Sequence, residues 1–497
     1  MLNVYLFTQH LKLESFKNFA KLSKKDDSNL FLTTHYLFDN EREYLEKLFP
    51  NCIFRDFADF LTDSEMAECD EKAYEHEKSD YSKYLAIMKE EKNEKVLNNL
   101  KKEFPEFKGY ILSDDLGIDE NVWKKDGFKR LNGKYYYPFE KVSLLRKIKR
   151  LFGKIKLFRD IYFKLKSGAD SQKAQEVYVS EYNGKKIIFV GKMHRIGYRL
   201  NLEFKKSDEE LEKFNNGIFY PKEECQYITT WHEHYKCNVP DDNRYDVRWI
   251  QDGYLPPNYS QHDYNFIPNN VEYYAWDVLG EQLFHNKKLP VSLIPYRKKL
   301  YMPLPKFPKK VKNVLVVASG SGDWTALKNR SDDDMLVDAF VKIAKRYPDI
   351  KFVYRCHPTW VHPLNVGVNA INRVAEYFAS QNLPNLILSA SMPSTNLANF
   401  QLSFSRSSLD EDLKNADLVF GEHSISMIDA AFKELPFCSA NLTKRRNFYC
   451  GITDMGFLYC DSIEGIANVI ESITTTRLQE EYPKWVKKYN EMTDEEE

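Results

Sequence analysis

Three short stretches in the second half of the sequence gather small residues, a carboxylate, cations and hydroxyls at points where strands should end. In Ser319-Gly320-Ser321-Gly322-Asp323, small side chains let backbone N–H groups approach a ligand, and the Asp323 carboxylate projects from the turn. Arg355-Cys356-His357-Pro358 supplies a cation and a titratable imidazole, and its proline stops the strand. Gly421-Glu422-His423-Ser424-Ile425-Ser426 puts serines at the opening of a helix, where exposed N–H groups and the helix dipole favour a phosphate. Together the three describe a site for a phosphorylated ligand. Each also has a plain structural reading, with Ser424 as a helix N-cap, His357 as a packed histidine and the glycines as an ordinary turn. What joins them is their place at corresponding strand ends of one expected sheet. Lys444 and Arg445, after the last short strand, either add cations beside a phosphate or an acidic sugar or form a solvated basic loop.

The elements that must hold these turns are legible around them. Residues 314–318 form a continuous β-branched and apolar run, suited to a parallel strand covered on both faces. A helix is expected over 332–347, strands over 351–356 and 386–389, an acidic helix over 409–414, a strand over 417–420, a helix over 425–435 and a short strand over 436–440. That alternation predicts a doubly wound sheet, whose right-handed crossovers bring every strand-to-helix turn to one edge.

The first half has the same rhythm with fewer polar landmarks. Apolar runs at 4–7, 30–33 and 52–57 alternate with Lys/Glu-rich stretches, as βαβ units do. A charged helical insertion is expected over about 79–170. Within it, residues 141–166 hold ten Lys or Arg, with apolar residues at helical spacing. Such a helix can lie on an anionic membrane surface or pack on its own domain with a solvated basic face. Runs at 177–179, 186–190, 227–230 and 247–250 are expected to complete the first sheet. The boundaries are then an N-terminal domain over 1–290, a proline-rich linker over 291–310, a C-terminal domain over 311–475 and a helical tail over 476–497.

His357-Pro358 at a strand end, followed by Gly421-Glu422-His423-Ser424, Asp429-Ala430-Ala431 and Pro436, resembles the nucleotide-sugar half of GT-B glycosyltransferases. The His-Pro pair is similar in particular to those using CMP-activated acidic sugars. Upstream, Gln251-Asp252-Gly253-Tyr254-Leu255 resembles the Glu-Asp-Gly-Phe-Leu type motif of bacterial capsule and lipopolysaccharide Kdo transferases, and Gly322-Asp323 resembles their Gly-Asp turn. Order and spacing agree over residues 247–445, while residues 1–246 carry no matching motif.

The resemblance implies an α/β chain of two Rossmann-like domains facing across a cleft, the first on the acceptor side and the second on the donor side. It implies a double displacement in which Asp323 attacks the anomeric carbon to form a covalent glycosyl-enzyme. His357 would meet the donor phosphate, with Ser424 and Ser426 in support. The general acid/base of that family is the Glu of the first motif. Gln251 stands there and cannot exchange a proton, which leaves Asp252 as the substitute, or a different donor and stereochemistry. The implied reaction moves a sugar, Kdo or another acidic one from a CMP donor, onto a bacterial surface polysaccharide or lipid-linked glycan. The nucleotide sugar is a substrate, and no cofactor or metal is expected. The alternatives are another sugar nucleotide, polyol-phosphate transfer, or a non-catalytic glycan-binding scaffold.

Composition narrows the field further. The chain has 497 residues, 43% hydrophobic and 29% charged, enough for more than one core under a solvated surface. Lys and Arg number 72 against 73 Asp and Glu, so no single sign of charge marks a nucleic-acid-binding domain. The eight cysteines form no CxxC pair, which fits a reducing, cytoplasmic setting. Cys225, His232, His234 and Cys237 cluster, but their spacing matches no standard zinc pattern. No secretory leader and no membrane-crossing run are expected, so contact with the inner membrane face would be peripheral, through 141–166 if that helix is not packed on its own domain.

Overall fold

Runs of consecutive apolar residues form strands buried on both faces, and three largely parallel sheets are built from them. The computed structural model describes residues 2–7, 28–34, 36–73, 76, 81–112, 117–131, 173–191, 193, 199–230, 237, 239–240, 242–251, 271–286, 290–319, 332–357, 368–390, 402–422, 424–442 and 459–495. Two compact units emerge. One combines Met1–Phe139 with Met302–Lys488, and the other combines Glu140–Tyr301 with Tyr489–Glu497.

The first unit holds two sheets. Its first sheet contains β1 (Leu2–Phe7), β2 (Ser28–Thr33), β3 (Cys52–Asp56), β4 (Phe107–Ile111) and β5 (Lys129–Arg130), in the order β3-β2-β1-β4-β5 and parallel throughout. Helices α1 (Asp39–Leu48), α2 (Asp63–Ala73), α3 (Tyr81–Glu103) and α4 (Glu120–Lys125) connect these strands. On one side of the sheet Val4, Leu6, Leu30 and Leu32 pack against Val96, Leu97 and Leu100 of α3. On the other, Tyr5, Phe7, Phe31 and Phe54 join Leu45 of α1. Alternate residues of one strand therefore serve two cores, as the period of a strand requires.

The second unit carries a sheet ordered β12-β11-β10-β9-β7-β6-β8. Its strands are β6 (Val177–Tyr182), β7 (Lys185–Val190), β8 (Lys205–Lys206), β9 (Cys225–Thr229), β10 (Asp246–Ile250), β11 (Val271–Ala275) and β12 (Val291–Leu293). Strands β7, β9, β10, β11 and β12 are parallel, while β6 turns back on β7 as a hairpin. The turn is Asn183-Gly184 with φ of 51° and 75°, the left-handed pair that a two-residue hairpin needs. Helices α5 (Asp208–Asn215) and α6 (Val278–Asn286) belong here. Phe214 of α5 and Phe284 of α6 share a core with Trp249, Tyr227 and Tyr273.

These sheets revise the expected layout of the first half. The runs at 177–250 do not complete the first sheet: they pair with one another in a separate sheet, because an apolar run states that a strand is buried and not which strand it joins. Helix α3, inside the expected insertion over 79–170, is instead the crossover from β3 to β4 of the first sheet. The basic segment 141–166 lies outside the described residues. Strand β12 occupies the start of the expected linker 291–310, and residues 301–312 carry no regular element.

The third sheet, in the first unit, is ordered β16-β15-β14-β13-β17-β18-β19. It comprises β13 (Asn313–Val317), β14 (Lys351–Arg355), β15 (Leu386–Ser389), β16 (Ser403–Ser405), β17 (Leu418–Gly421), β18 (Phe437–Ala440) and β19 (Tyr459–Cys460), all parallel. Between them run α7 (Asp332–Arg346), α8 (Val368–Gln381), α9 (Leu409–Lys414) and α10 (Ser426–Phe432), and after β19 come α11 (Ile463–Ser472) and α12 (Thr476–Asp494). The expected strand over 386–389 and helix over 409–414 coincide with β15 and α9. In α12, Tyr482 and Trp485 pack on Phe437 of β18, and Tyr489, which belongs to the second unit, donates to Asp277 at 2.9 Å.

Candidate functional site

The third sheet reverses direction between β13 and β17: strands are added one way from β13 to β16, then the other way from β17 to β19. In an open α/β sheet, helices fall away to opposite faces at such a reversal, and a crevice opens at the carboxyl ends of the two strands. The register shows what stands there. Val317 pairs with both Arg355 and Gly421, Arg355 with Ser389, and Ser389 with Ser405, so one row of residues ends five adjacent strands. The turns at Ser319, His357 and Glu422 leave this edge.

At Gly421 the side chains of Val317 and Met427 leave no room for a Cβ unless one of them shifts. A Cβ there would lie 2.8 Å from Val317 Cγ2 and 3.0 Å from Met427 Sδ. Next to it, Glu422 is 1% exposed, and its carbonyl accepts from Ser439 Oγ of β18 at 2.9 Å. Ser424 is buried, its Oγ accepting from Ser426 N at 3.4 Å, while the N-cap of α10 is Ile425 without a side-chain hydrogen bond. The expected helix over 425–435 is shorter at both ends. Ser426, Ser319 and His357 are partly exposed.

Arg355 takes a framework role. Its Nη1 donates to Asp412 at 2.7 Å, to the Ser407 carbonyl at 2.9 Å and to Ser389 Oγ at 3.3 Å. The Asp412 carboxylate also accepts from Ser389 at 2.6 Å and from Ser407. Arg355 and Asp412 are both buried, and a buried ion pair needs further hydrogen bonds from its neighbours, which Ser389 and Ser407 give to Asp412. The charge of Arg355 thus ties the carboxyl ends of β14, β15 and β16 together. Sequence reasoning missed Asp412, Ser389 and Ser407; only Ser389, closing a recognisable strand, carried a signal. Cys438 on neighbouring β18 is buried, and burial and then the Cys460 thiol 3.6 Å away push its pKa well above the ordinary value, which disfavours the thiolate.

Gln251 lies in the second unit, at the carboxyl end of β10. Its backbone N–H donates to Tyr274 O at 2.9 Å, and its side chain is 1% exposed. Its Oε1 accepts from Trp276 N at 3.4 Å and lies 2.1 Å from where a Cβ on Gly280 of α6 would stand. Gln251 is therefore packed under the opening of α6, which Asp277 caps by accepting from Gly280 N at 2.8 Å. Asp252, Gly320, Gly322, Asp323, Pro358, His423, Lys444 and Arg445 lie outside the described residues. So do His232 and His234 of the Cys/His cluster, while Cys225 and Cys237 are buried. Among the described residues no group of His, Cys, Asp and Glu is placed to hold a metal ion, and no helix is long and apolar enough to cross a membrane.

No protein-family model matches the sequence, and no curated protein matches it. Among solved structures the chain is similar to "Crystal Structure of TarM", with 10% identity and a TM-score of 0.34 over 100% of this chain and 96% of that one. It is also similar to "Crystal structure of GtfA/B complex", with 14% identity and a TM-score of 0.30 over 59% of this chain and 62% of that one. Likenesses this loose decide neither fold nor activity. The class of the protein rests on its own sheets, which define an α/β chain with doubly wound first and third sheets.

Proposed function

We propose that this chain is a GT-B type glycosyltransferase that takes a sugar from a nucleotide donor, an acidic sugar on CMP being the preferred reading, and adds it to a bacterial surface polysaccharide or lipid-linked glycan. The observation that carries the proposal is the reversal between β13 and β17, with the Ser319, His357 and Glu422 turns leaving one edge of that sheet. A reversal point favours a nucleotide phosphate, and the small residues on either side give the backbone room to meet it.

In the reaction proposed, the Asp323 carboxylate forms a bond to the anomeric carbon, and the bond from that carbon to the nucleotide phosphate breaks, its electron pair leaving with the phosphate. An acceptor hydroxyl then displaces Asp323, its proton passing to a base, for which Asp252 is the candidate. His357, Lys444 and Arg445 would meet charge on the departing phosphate. The nucleotide sugar acts as a substrate, and the scheme uses no metal. The segment 141–166 is the proposed point of peripheral membrane contact.

Gln251 favours a second reading. A buried amide packed against Gly280 exchanges no proton, which suits a related transfer from another sugar nucleotide or of a polyol phosphate. Thermal denaturation with CMP, CDP, UDP and GDP in turn separates these readings. One nucleotide should stabilise the protein by about 3 kcal/mol at about a hundred times its Kd. Stabilisation by CMP favours the acidic-sugar donor, stabilisation by another nucleotide favours the second reading, and none with any of the four removes the transferase proposal in favour of a glycan-binding scaffold.

A further inference from the structure

Tyr36-Leu37-Phe38 follows the carboxyl end of β2 and opens α1, on the side of the first sheet where β2 and β3 end. Neighbours within that domain fix it. Leu37 N donates to Asp56 at 2.7 Å, and Phe38 N to Glu41 at 3.1 Å. The same segment meets α7 and α8 of the third sheet. Arg373 of α8 donates from Nε and Nη2 to the two oxygens of Glu41 at 2.6 and 2.9 Å. It also donates from Nη2 to Tyr36 O at 3.1 Å and from Nη1 to Asp334 of α7 at 3.2 Å.

Around this fork the contact is largely dry. Phe38 is fully buried and stacks on Tyr377 of α8 with ring centroids 4.4 Å apart, and the Arg373 guanidinium lies 4.8 Å from the Phe38 centroid. Tyr36 donates its hydroxyl to Asp338 of α7 at 2.7 Å, and Asp338 also accepts from Tyr377 at 2.6 Å and from Lys342 at 2.7 Å. Asp334, Asp338 and Lys342 repeat every four residues on α7, and Arg373 and Tyr377 are four apart on α8, so one face of each helix is engaged.

The position of α7 and α8 in the chain gives this contact its consequence. In chain order α7 follows β13 after residues 318–331, which include Ser319 to Asp323, and α8 follows β14 after residues 356–367, which include His357. Asp334 lies in the first turn of α7 and Arg373 in the second turn of α8. A bidentate Arg–carboxylate pair fixes orientation as well as distance, so both helices are held at the ends nearest those turns.

We propose that the first sheet is a clamp on the donor turns: Glu41 and Tyr36 are positioning residues that hold the starts of α7 and α8, and so keep the Ser319 and His357 turns in register for the activated sugar. The identity of the ligand rests on the transferase reading; the clamp does not. It is tested in the full-length protein with Glu41→Gln, which keeps the volume and removes the charge, and with Tyr36→Phe, which removes one hydroxyl. Nucleotide affinity is measured by calorimetry, and hydrogen exchange is followed over 318–331, 356–367 and, as a control, β9 to β11.

Glu41→Gln should weaken binding of the stabilising nucleotide on the order of tenfold. It should also speed exchange in the two donor segments without changing the control, and Tyr36→Phe should do the same to a smaller degree. Exchange needs no ligand, so a wild-type protein that binds none of the four nucleotides would end the transferase reading while the exchange data still judge the clamp. Unchanged exchange in both variants overturns the clamp. So does faster exchange with nucleotide affinity kept within about twofold. Should Glu41→Gln fail to fold, Tyr36→Phe alone decides between these outcomes.

Discussion

The first and third sheets share one winding, with two strands on either side of β1 and three on either side of β13, yet their carboxyl edges are finished in different materials. On the third sheet the edge is polar, with Arg355, Ser389 and Asp412 locked together and small residues at Ser319 and Gly421. On the β2–β3 side of the first sheet the edge is closed by Phe38, Glu41 and Asp56, which serve protein contacts. The same topology can therefore present a polar edge or a docking face. The choice lies in a few residues after each strand, and fold alone does not assign a site.

Phe38→Ala breaks the docking edge hardest. Removing a fully buried ring that stacks on Tyr377 should cost about 3–5 kcal/mol, read by urea denaturation. Because the ring spans the first and third sheets, their unfolding should also lose cooperativity. A loss of less than about 1 kcal/mol would mean that the two sheets are stable without this contact, and the contrast between the edges would weaken.

Gly421→Ala tests the other edge. A methyl group 2.8 Å from Val317 Cγ2 must push β13 from β17 or displace Met427, for about 1–3 kcal/mol. Met427 is flexible and can yield in part, whereas the branched Val317 cannot. The separation of β13 and β17 is what the proposed crevice depends on, so nucleotide stabilisation should fall with the variant. Full retention of both stability and nucleotide response would show that the crevice is not set by this approach.

The two edges were unequally legible. Continuous apolar runs gave five strands of the third sheet to within a residue or so, but not the short edge strands β16 and β19, and the polar residues after those runs were expected to bring Ser319, His357 and Ser424 to one edge. The pairing of strands was not legible in the first half, because a run such as Lys186 to Val190 shows burial without naming its neighbour. Asn183-Gly184 was the one local sign that β6 and β7 form their own hairpin. Arg355 stood out as a cation, but its partner Asp412 lies 57 residues away and resembled any acid in the first turn of a helix. Tyr36, Phe38 and Glu41 were harder still. Their partners on α7 and α8 are some three hundred positions downstream, and docking between domains leaves no periodic trace.

The smallest effect concerns Asp56, which holds the backbone of the docking segment at Leu37. Burial first, and then the charge of Asp59, push its pKa up to about 7, against hydrogen bonds from Leu37 and Ala58 N–H and the charge of Arg42. The ordinary value in an unfolded chain is 3.8, so between about pH 4 and about pH 7 the native state binds more protons than the unfolded state. The contribution of Asp56 is then complete below the unfolded value and is lost as pH rises through the folded one. Stability should fall by about 1 kcal/mol between about pH 6 and about pH 8 for this reason alone. Asp56→Asn removes the titration while an amide oxygen can still accept from Leu37 N, so its denaturation midpoint should be flatter across that interval than the wild type's. Identical slopes in the two proteins would show that Asp56 is already ionised at pH 6, and that the docking segment hangs on a charge and not on a buried acid.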